Sequence, residues 1–209
     1  MERKSYIHAS FDIISEFVPK VPKFHAAGED MTIPRICVTK NIHDSLRAVP
    51  MSGNVISFCE AIGLPLVVHM YYLLPSDEDS VKDVSFTKDF VPDAEVYEEM
   101  WLTKEPALVR RVDYMVGKSR VYQGKDRNGT EIYQVMTSDL KRCRYMDNWE
   151  LFAENCRLTE NAKEHFLNFR KKVTFSSMIY NLMKMEDVSE HLKRISRNAE
   201  KKEMAYENQ

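Results

Sequence analysis

Side chains suited to binding or catalysis occur at three places in this 209-residue sequence, and the first is a histidine near the N-terminus. His8 stands at the centre of Tyr6–Ser10, whose apolar character predicts a short β-strand. A ring nitrogen can donate or accept a hydrogen bond at neutral pH, so His8 suits the vicinal hydroxyl groups of a nucleotide ribose. The alternative is a core histidine whose ring bonds a backbone carbonyl.

The second place is an arginine within another apolar segment. Pro34–Thr39 predicts a second short strand, and Arg35 lies inside it. A guanidinium is costly to bury without a partner. Either Arg35 pairs with Glu29 or Asp30 as a structural clamp, or it faces a pocket and holds a phosphate or carboxylate through two N–H groups.

The third place is a pair of carboxylates beside a tryptophan. Residues 97–103 predict a strand, on which adjacent residues face opposite ways, so Glu99 shares a face with Trp101 and Glu98 does not. A carboxylate there can stabilise a developing oxocarbenium ion or hold a ribose hydroxyl. The alternative is a strand-end carboxylate in water. Glu131, which begins a later predicted strand, is the competing carboxylate.

Composition narrows the classes of protein and of partner. The net charge of −2 provides no general basic field, so nucleic acid is not favoured as a partner, although the basic run at 141–145 leaves it open. The four cysteines form no CxxC pair and no cluster with metal-ligand spacing. We therefore expect reduced thiols, no metal and a cytoplasmic location. Six glycines and the lack of a GxGxxG or Walker motif argue against a Rossmann or P-loop site.

The most apolar stretch, residues 55–74, is not expected to span a membrane. It contains Glu60, Gly63, Pro65 and His69, which rarely occur together in a span of about 20 residues. The N-terminus shows no secretion-type apolar core. No membrane partner is predicted.

The periodicity of the remaining segments predicts an α+β fold, with a small mixed or antiparallel sheet, flanking helices and a helical C-terminal segment. Asn128 and Gly129 between apolar runs predict a β-hairpin. We expect a core domain at 1–147 and a helical extension at 148–209 packed on or beside it. Strands are predicted at 6–10, 34–39, 66–73, 97–103, 109–116, 120–123 and 131–136. Helices are predicted at 12–17, 42–49, 54–62, 149–157, 160–171 and 176–200, the last with a possible break at 185–187.

An apolar stripe marks the last predicted helix. Met178, Leu182, Met185 and Val188 recur at helical spacing. The stripe either packs on the sheet or docks a partner, because methionine is common on interaction surfaces.

The order of these elements resembles the ADP-ribosyltransferase-like fold in its His–Tyr–Glu branch. The strand Tyr6–Ser10 leads into Asp12–Phe17, and the strand containing Arg35 runs into a helix. A core strand then precedes a strand that carries Glu99, in the run Glu99–Leu102. The resemblance covers about residues 6–114. The segments 29–37 and 91–94 are also similar to small uncharacterised bacterial and phage proteins.

The resemblance implies an NAD-dependent transferase that modifies a macromolecular target, expected to be a protein. His8 and Glu99 would be catalytic, and His8, Arg35 and Thr39 would contact NAD. At the position of the family's stacking tyrosine stand Val38 and Thr39. The alternative function is a non-catalytic phage or bacterial protein that inhibits or regulates a partner through its C-terminal helices.

Overall fold

The chain folds as an α+β protein, as predicted from its sequence. A computed structural model describes residues 5–23, 28–125, 131–170 and 172–194, with residues 131 and 132 described by their backbone alone. In these ranges the strands are β1 Tyr6–Ser10, β2 Ile36–Val38, β3 Leu66–Leu74, β4 Val81–Lys82, β5 Met100–Leu102, β6 Leu108–Lys125 and β7 Glu131–Arg142. The helices are α1 Ile42–Ala48, α2 Ser52–Ala61, α3 Val84–Thr87, α4 Ala94–Tyr97, α5 Asn148–Asn155, α6 Glu160–Phe169 and α7 Phe175–Met183, followed by helical residues 186–194.

The strands form two antiparallel sheets that meet at β1. One has the order β1-β3-β6-β7 and the other the order β2-β5-β4. Ile7 of β1 exchanges two backbone hydrogen bonds with Thr39, both of 2.9 Å, so the outer edge of β1 continues into the strand of the second sheet. The first strand is therefore paired on both sides, and a slip in its register would break its pairing with β3 and its two bonds to Thr39.

Alternation along β3 gives the four-stranded sheet two buried faces. On the first face, which we call the helical face, Leu66, Val68 and Met70 belong to the same apolar cluster as α2 and α7. On the opposite face, Tyr71 and Leu73 pack with side chains of the second sheet. The near-continuous apolar run of β3 follows from this burial on both faces.

The C-terminal helices share the main apolar cluster of the molecule. Phe152, Phe166 and Phe175 lie in that cluster, together with residues of α1 and α2. The side chain of Asn148 bonds the carbonyls of Phe11 and Val67 at 2.8 and 2.6 Å, and so ties the start of α5 to the sheet. The division into domains at residue 148 stays a prediction.

The predicted apolar stripe of the last helices is part of the core. Met178, Leu182 and Val188 are each fully buried, and Met185 packs against the same cluster. Of the two alternatives for these side chains, packing inside the protein or docking to a partner, the structure supports packing. The stripe is not open to a partner.

Three local predictions were wrong. Residues 12–17 are not helical, because their polar groups are bonded to distant elements: the backbone N–H of Ile14 donates to the Tyr71 hydroxyl at 2.7 Å. Tyr97 ends α4 and does not begin a strand. Residues 109–123 form one long strand, β6, with two irregularities in its pairing where a break was expected.

The hairpin between β6 and β7 is confirmed by its strand pairing, in which Lys125 lies opposite Glu131. Its turn residues, Asn128 and Gly129, lie outside the described residues. Among the helices that the structure describes, none is long and apolar enough to cross a membrane.

Candidate functional site

Arg35 is buried at the centre of a bonded cluster. Its side chain is fully inaccessible and forms an ion pair with Glu29, while its terminal nitrogens donate to the carbonyls of Ile33 and Asp30, each at 3.0 Å. The guanidinium also lies 4.2 Å from the centre of the Trp101 ring. Of its nitrogens, only Nε is buried without a hydrogen-bond partner. This is the geometry expected of the structural clamp, with few donors left for a ligand.

Glu99 belongs to the same cluster. Its carboxylate accepts a hydrogen bond of 2.8 Å from the indole nitrogen of Trp101. Burial raises the pKa of Glu99, and the hydrogen bonds from Trp101 and Cys37 oppose that shift. Cys37 also interacts with Arg35, and burial raises the pKa of its thiol well above the usual value, so it is a poor nucleophile. The structure thus brings Arg35 and Glu99 together around one protonated thiol.

His8 projects to a different region. Its Nδ1 lies 2.7 Å from the backbone carbonyl of Cys37, and its ring makes an edge contact with Phe17 at 5.5 Å. Burial lowers the pKa of His8, which favours the neutral ring. Phe17 packs with Ile36 on one face of the second sheet, whereas Trp101 and Cys37 pack on the other. The sheet therefore separates the surroundings of His8 from those of Glu99.

Thr39 and Glu131 complete the set predicted from the sequence. Thr39 is buried, and its hydroxyl bonds the Asn41 carbonyl and the Ser45 hydroxyl, both at 2.8 Å. Ser45 in turn donates to the Ile7 carbonyl at 2.9 Å, so Thr39 anchors the start of α1 on β1. The side chain of Glu131 lies outside the described residues. The roles of these residues toward NAD stay predictions.

A groove of about 440 Å³ lies on the helical face of the four-stranded sheet, at the end of the sheet where β3 finishes. Three cross-strand pairs build it: Leu74 lies opposite Leu108, Tyr72 opposite Arg110, and Tyr114 opposite Arg142. Alternation on β3 and β6 turns these side chains to one face. The lining is completed by Ser5 and Val112.

The groove is positively charged without compensation from its lining. Within the described residues, Arg110 and Arg142 form no ion pair and no side-chain hydrogen bond, and the lining contains no carboxylate. The hydroxyls of Tyr72 and Tyr114, which also line the groove, lie 3.4 Å from each other. Burial, with the neighbouring Tyr114, raises the pKa of Tyr72 to about 12, so this phenol keeps its proton at neutral pH. Two cations and two phenols therefore face one concave surface.

A second groove, of about 410 Å³, differs in its charge. Lys40, Lys82 and Asp83 line it together with Phe86. The Lys82 ammonium donates to the Asp79 carbonyl at 3.3 Å and lies 5.7 Å from the Phe86 ring centre. Its cations are offset by an acidic neighbour in the lining, so it is the weaker candidate for binding an anion.

A buried histidine–aspartate pair joins β3 to β6. His69 Nδ1 lies 2.9 Å from Asp113 Oδ1, and Arg111 Nε lies 3.2 Å from the same oxygen. Both His69 and Asp113 are buried, and His69 Nε2 has no hydrogen-bond partner among the residues that the structure describes. Neither groove is lined by these residues, so the pair is an internal cross-strand link.

Sequence reasoning missed the arginine–tyrosine groove. The alternating pattern Leu108, Arg110, Val112 and Tyr114 was available as a signal, since it places cationic and aromatic side chains on one strand face. The neighbours Tyr72 and Arg142 come from distant parts of the chain and join them only through strand register. Comparison with protein-family models, curated proteins and solved structures gives no match for this chain.

Proposed function

We propose that this protein binds a phosphate-bearing ligand in the groove lined by Arg110, Arg142, Tyr72 and Tyr114, and that binding is its function. Two arginines without an acidic partner, converging on one concave surface, support this proposal. A guanidinium presents N–H groups in a fork that matches phosphate oxygens, and a charge-assisted hydrogen bond is roughly twice as strong as a neutral one. The two phenols add donors at the floor of the groove.

The chemistry of the lining favours binding over catalysis. General acid–base or nucleophilic catalysis requires an imidazole, carboxylate, thiol or activated hydroxyl in contact with the reacting atoms. The described lining supplies guanidinium, phenol, one serine and apolar groups. The raised pKa of Tyr72 leaves this phenol a hydrogen-bond donor, not a base.

Titration calorimetry with inorganic phosphate and pyrophosphate tests the proposal. We expect wild type to bind, and Arg110→Gln and Arg142→Gln each to lose about tenfold or more in affinity, since a charged hydrogen bond contributes about 1.5–3 kcal/mol. Arg144→Gln is the matched control, because Arg144 is exposed two residues beyond the groove and does not line it. Absence of binding to wild type, or equal affinities in all four proteins, would refute the proposal.

The NAD-dependent ADP-ribosyltransferase, acting on a protein target, stays a prediction. The histidine-bearing first strand supports it, because β1 forms with the expected bounds and carries His8 at its centre. His8 lies on the opposite sheet face from the groove, since it pairs with Tyr71 and the groove residue Tyr72 follows on the strand. Titration with NAD therefore separates the two hypotheses: binding lost in His8→Ala and kept in Arg110→Gln would favour the transferase.

We also propose a cytoplasmic location for this protein. All four cysteines are free thiols, and this supports a reducing compartment.

A further inference from the structure

We infer that the groove selects a terminal phosphate monoester joined to an apolar or aromatic body, as in a nucleoside 5′-monophosphate, over a phosphodiester. This inference rests on the proposed function, because it names the class of ligand for the same groove. It follows from the number of unpaired cations and from the order of side chains along the groove.

The two guanidiniums match the charge of a monoester. A phosphate monoester carries about −1.5 to −2 at pH 7, because its second pKa is about 6. A diester carries one charge and offers only two unesterified oxygens. Arg110 and Arg142 together bring two positive charges, and no carboxylate in the described lining reduces them. A dianion therefore gains more from this groove than a monoanion does.

The side chains follow one another in a fixed order along the strands. On this face, each pair of opposite residues forms a row across the sheet. The row of Leu74 and Leu108 comes first, and the row of Tyr72 and Arg110 is next. The row of Tyr114 and Arg142 lies two rows beyond that. Residues on one face of a strand are spaced by about 7 Å, so Arg110 and Arg142 approach the same region from opposite ends. The phenol oxygens of Tyr72 and Tyr114 lie 3.4 Å apart, and each tyrosine stands in the same row as one of the arginines. A phosphate between the arginines would have its ester oxygen free to point toward the leucines.

The leucine end provides an apolar platform for the rest of the ligand. Leu108 is 61% exposed, so its apolar side chain is open to contact with a ligand in the groove. It lies opposite Leu74, and both line the groove. Covering these side chains with a nucleobase-sized group removes apolar surface from water and contributes to affinity. Inorganic phosphate leaves them exposed.

A free nucleotide and the 5′-phosphorylated end of a nucleic acid share this chemistry. Both present a terminal monoester next to a sugar and a base. The chain as a whole has a net charge of −2, which gives little attraction for a long polyanion. We therefore expect the free nucleotide to bind at least as tightly as the oligonucleotide end.

Calorimetry on the full chain tests the inference with four probes: inorganic phosphate, adenosine 5′-monophosphate, its 3′,5′-cyclic diester and a 5′-phosphorylated dinucleotide. We expect the monophosphate to bind about tenfold or more tighter than inorganic phosphate and the cyclic diester. Leu108→Ala should remove most of the gain over inorganic phosphate and leave phosphate binding unchanged. Val109→Ala is the matched control, because Val109 is 43% exposed on the other face of the same strand.

The outcomes separate this inference from the proposed function. If inorganic phosphate binds wild type and the monophosphate binds no tighter, or the cyclic diester binds equally well, the class of ligand is wrong and the phosphate site stands. If none of the four probes binds, the proposed function fails and this inference fails with it. Tighter binding of the dinucleotide than of the monophosphate would contradict the expectation that the free nucleotide binds at least as tightly as an oligonucleotide end.

Discussion

The indole nitrogen of Trp101 donates a hydrogen bond of 2.8 Å to the carboxylate of Glu99, and both side chains are buried. Trp101 also presents its ring to the guanidinium of Arg35 at 4.2 Å. A carboxylate and a cation predicted to be ligand-binding residues are thus joined by one aromatic side chain inside the protein. Their contribution to stability can be measured independently of any ligand.

Glu99→Gln should change how stability depends on pH. Burial raises the folded-state pKa of Glu99, so the folded protein binds this proton more tightly than the unfolded chain does. The stabilisation that comes from this proton is fully present below the pKa of Glu99 in the unfolded chain. It is lost as the pH rises through the pKa of Glu99 in the folded protein. The side chain at this position stays neutral in the variant. The free energy of unfolding of the variant should therefore increase relative to that of wild type as the pH rises. Urea denaturation between about pH 4 and pH 8 measures this difference. The same slope in the variant as in wild type would contradict it, and Glu98→Gln, at an exposed neighbour, is the control.

Arg35→Met should be strongly destabilising. The substitution removes a fully buried guanidinium from its ion pair with Glu29, and breaking a buried pair costs about 3–5 kcal/mol. Glu29→Gln in the same chain should recover part of the loss, because the carboxylate no longer needs a cation. Chemical denaturation of the two single variants and the double variant measures the coupling. Lys104→Met, which breaks the exposed pair with Asp77, should cost far less. A stable Arg35→Met protein would restore Arg35 as a ligand-binding candidate.

Leu182→Ala should destabilise the whole fold. Leu182 of α7 is fully buried in the main apolar cluster, and a leucine-to-alanine change in a core costs about 2–5 kcal/mol. Leu167→Ala is the matched control, since Leu167 of α6 is 67% exposed and should change stability little. Thermal unfolding followed by circular dichroism compares them. If Leu182→Ala melted like wild type and Leu167→Ala did not, the inward orientation of the stripe would be wrong.

Elements whose stabilising contacts are local could be predicted from the sequence. A helix was predicted at 42–49 and is observed as α1, Ile42–Ala48, whose N-terminus is capped by the side chain of Asn41. Asp44 lies in the first turn of that helix, where its charge favours the helix dipole. These features depend on neighbours within a few residues, which a sequence pattern records.

Features that depend on distant partners could not be predicted in the same way. Residues 12–17 have a composition compatible with helix, but Ile14 bonds Tyr71 instead. The arginine–tyrosine groove depends on the registers of β3, β6 and β7, and a shift of one residue would turn its side chains to the other face. For Arg35, the sequence left a clamp and a ligand contact equally open, and only its partners in the folded structure distinguish them.

The carboxylate of Asp12 accepts hydrogen bonds from the backbone N–H of Phe175 and from the hydroxyl of Ser176. The beginning of the chain is thus held by residues made more than 160 positions later. During synthesis the first strand has its neighbours in β2 and β3 long before it has the helix that covers it. Helices α1 and α2 cover part of the helical face early, but the apolar side chains that pack against α7 must remain exposed until α7 has been synthesised. The helical face is therefore expected to be fully covered only after α7 has been synthesised, and termination before Phe175 would leave an aggregation-prone sheet.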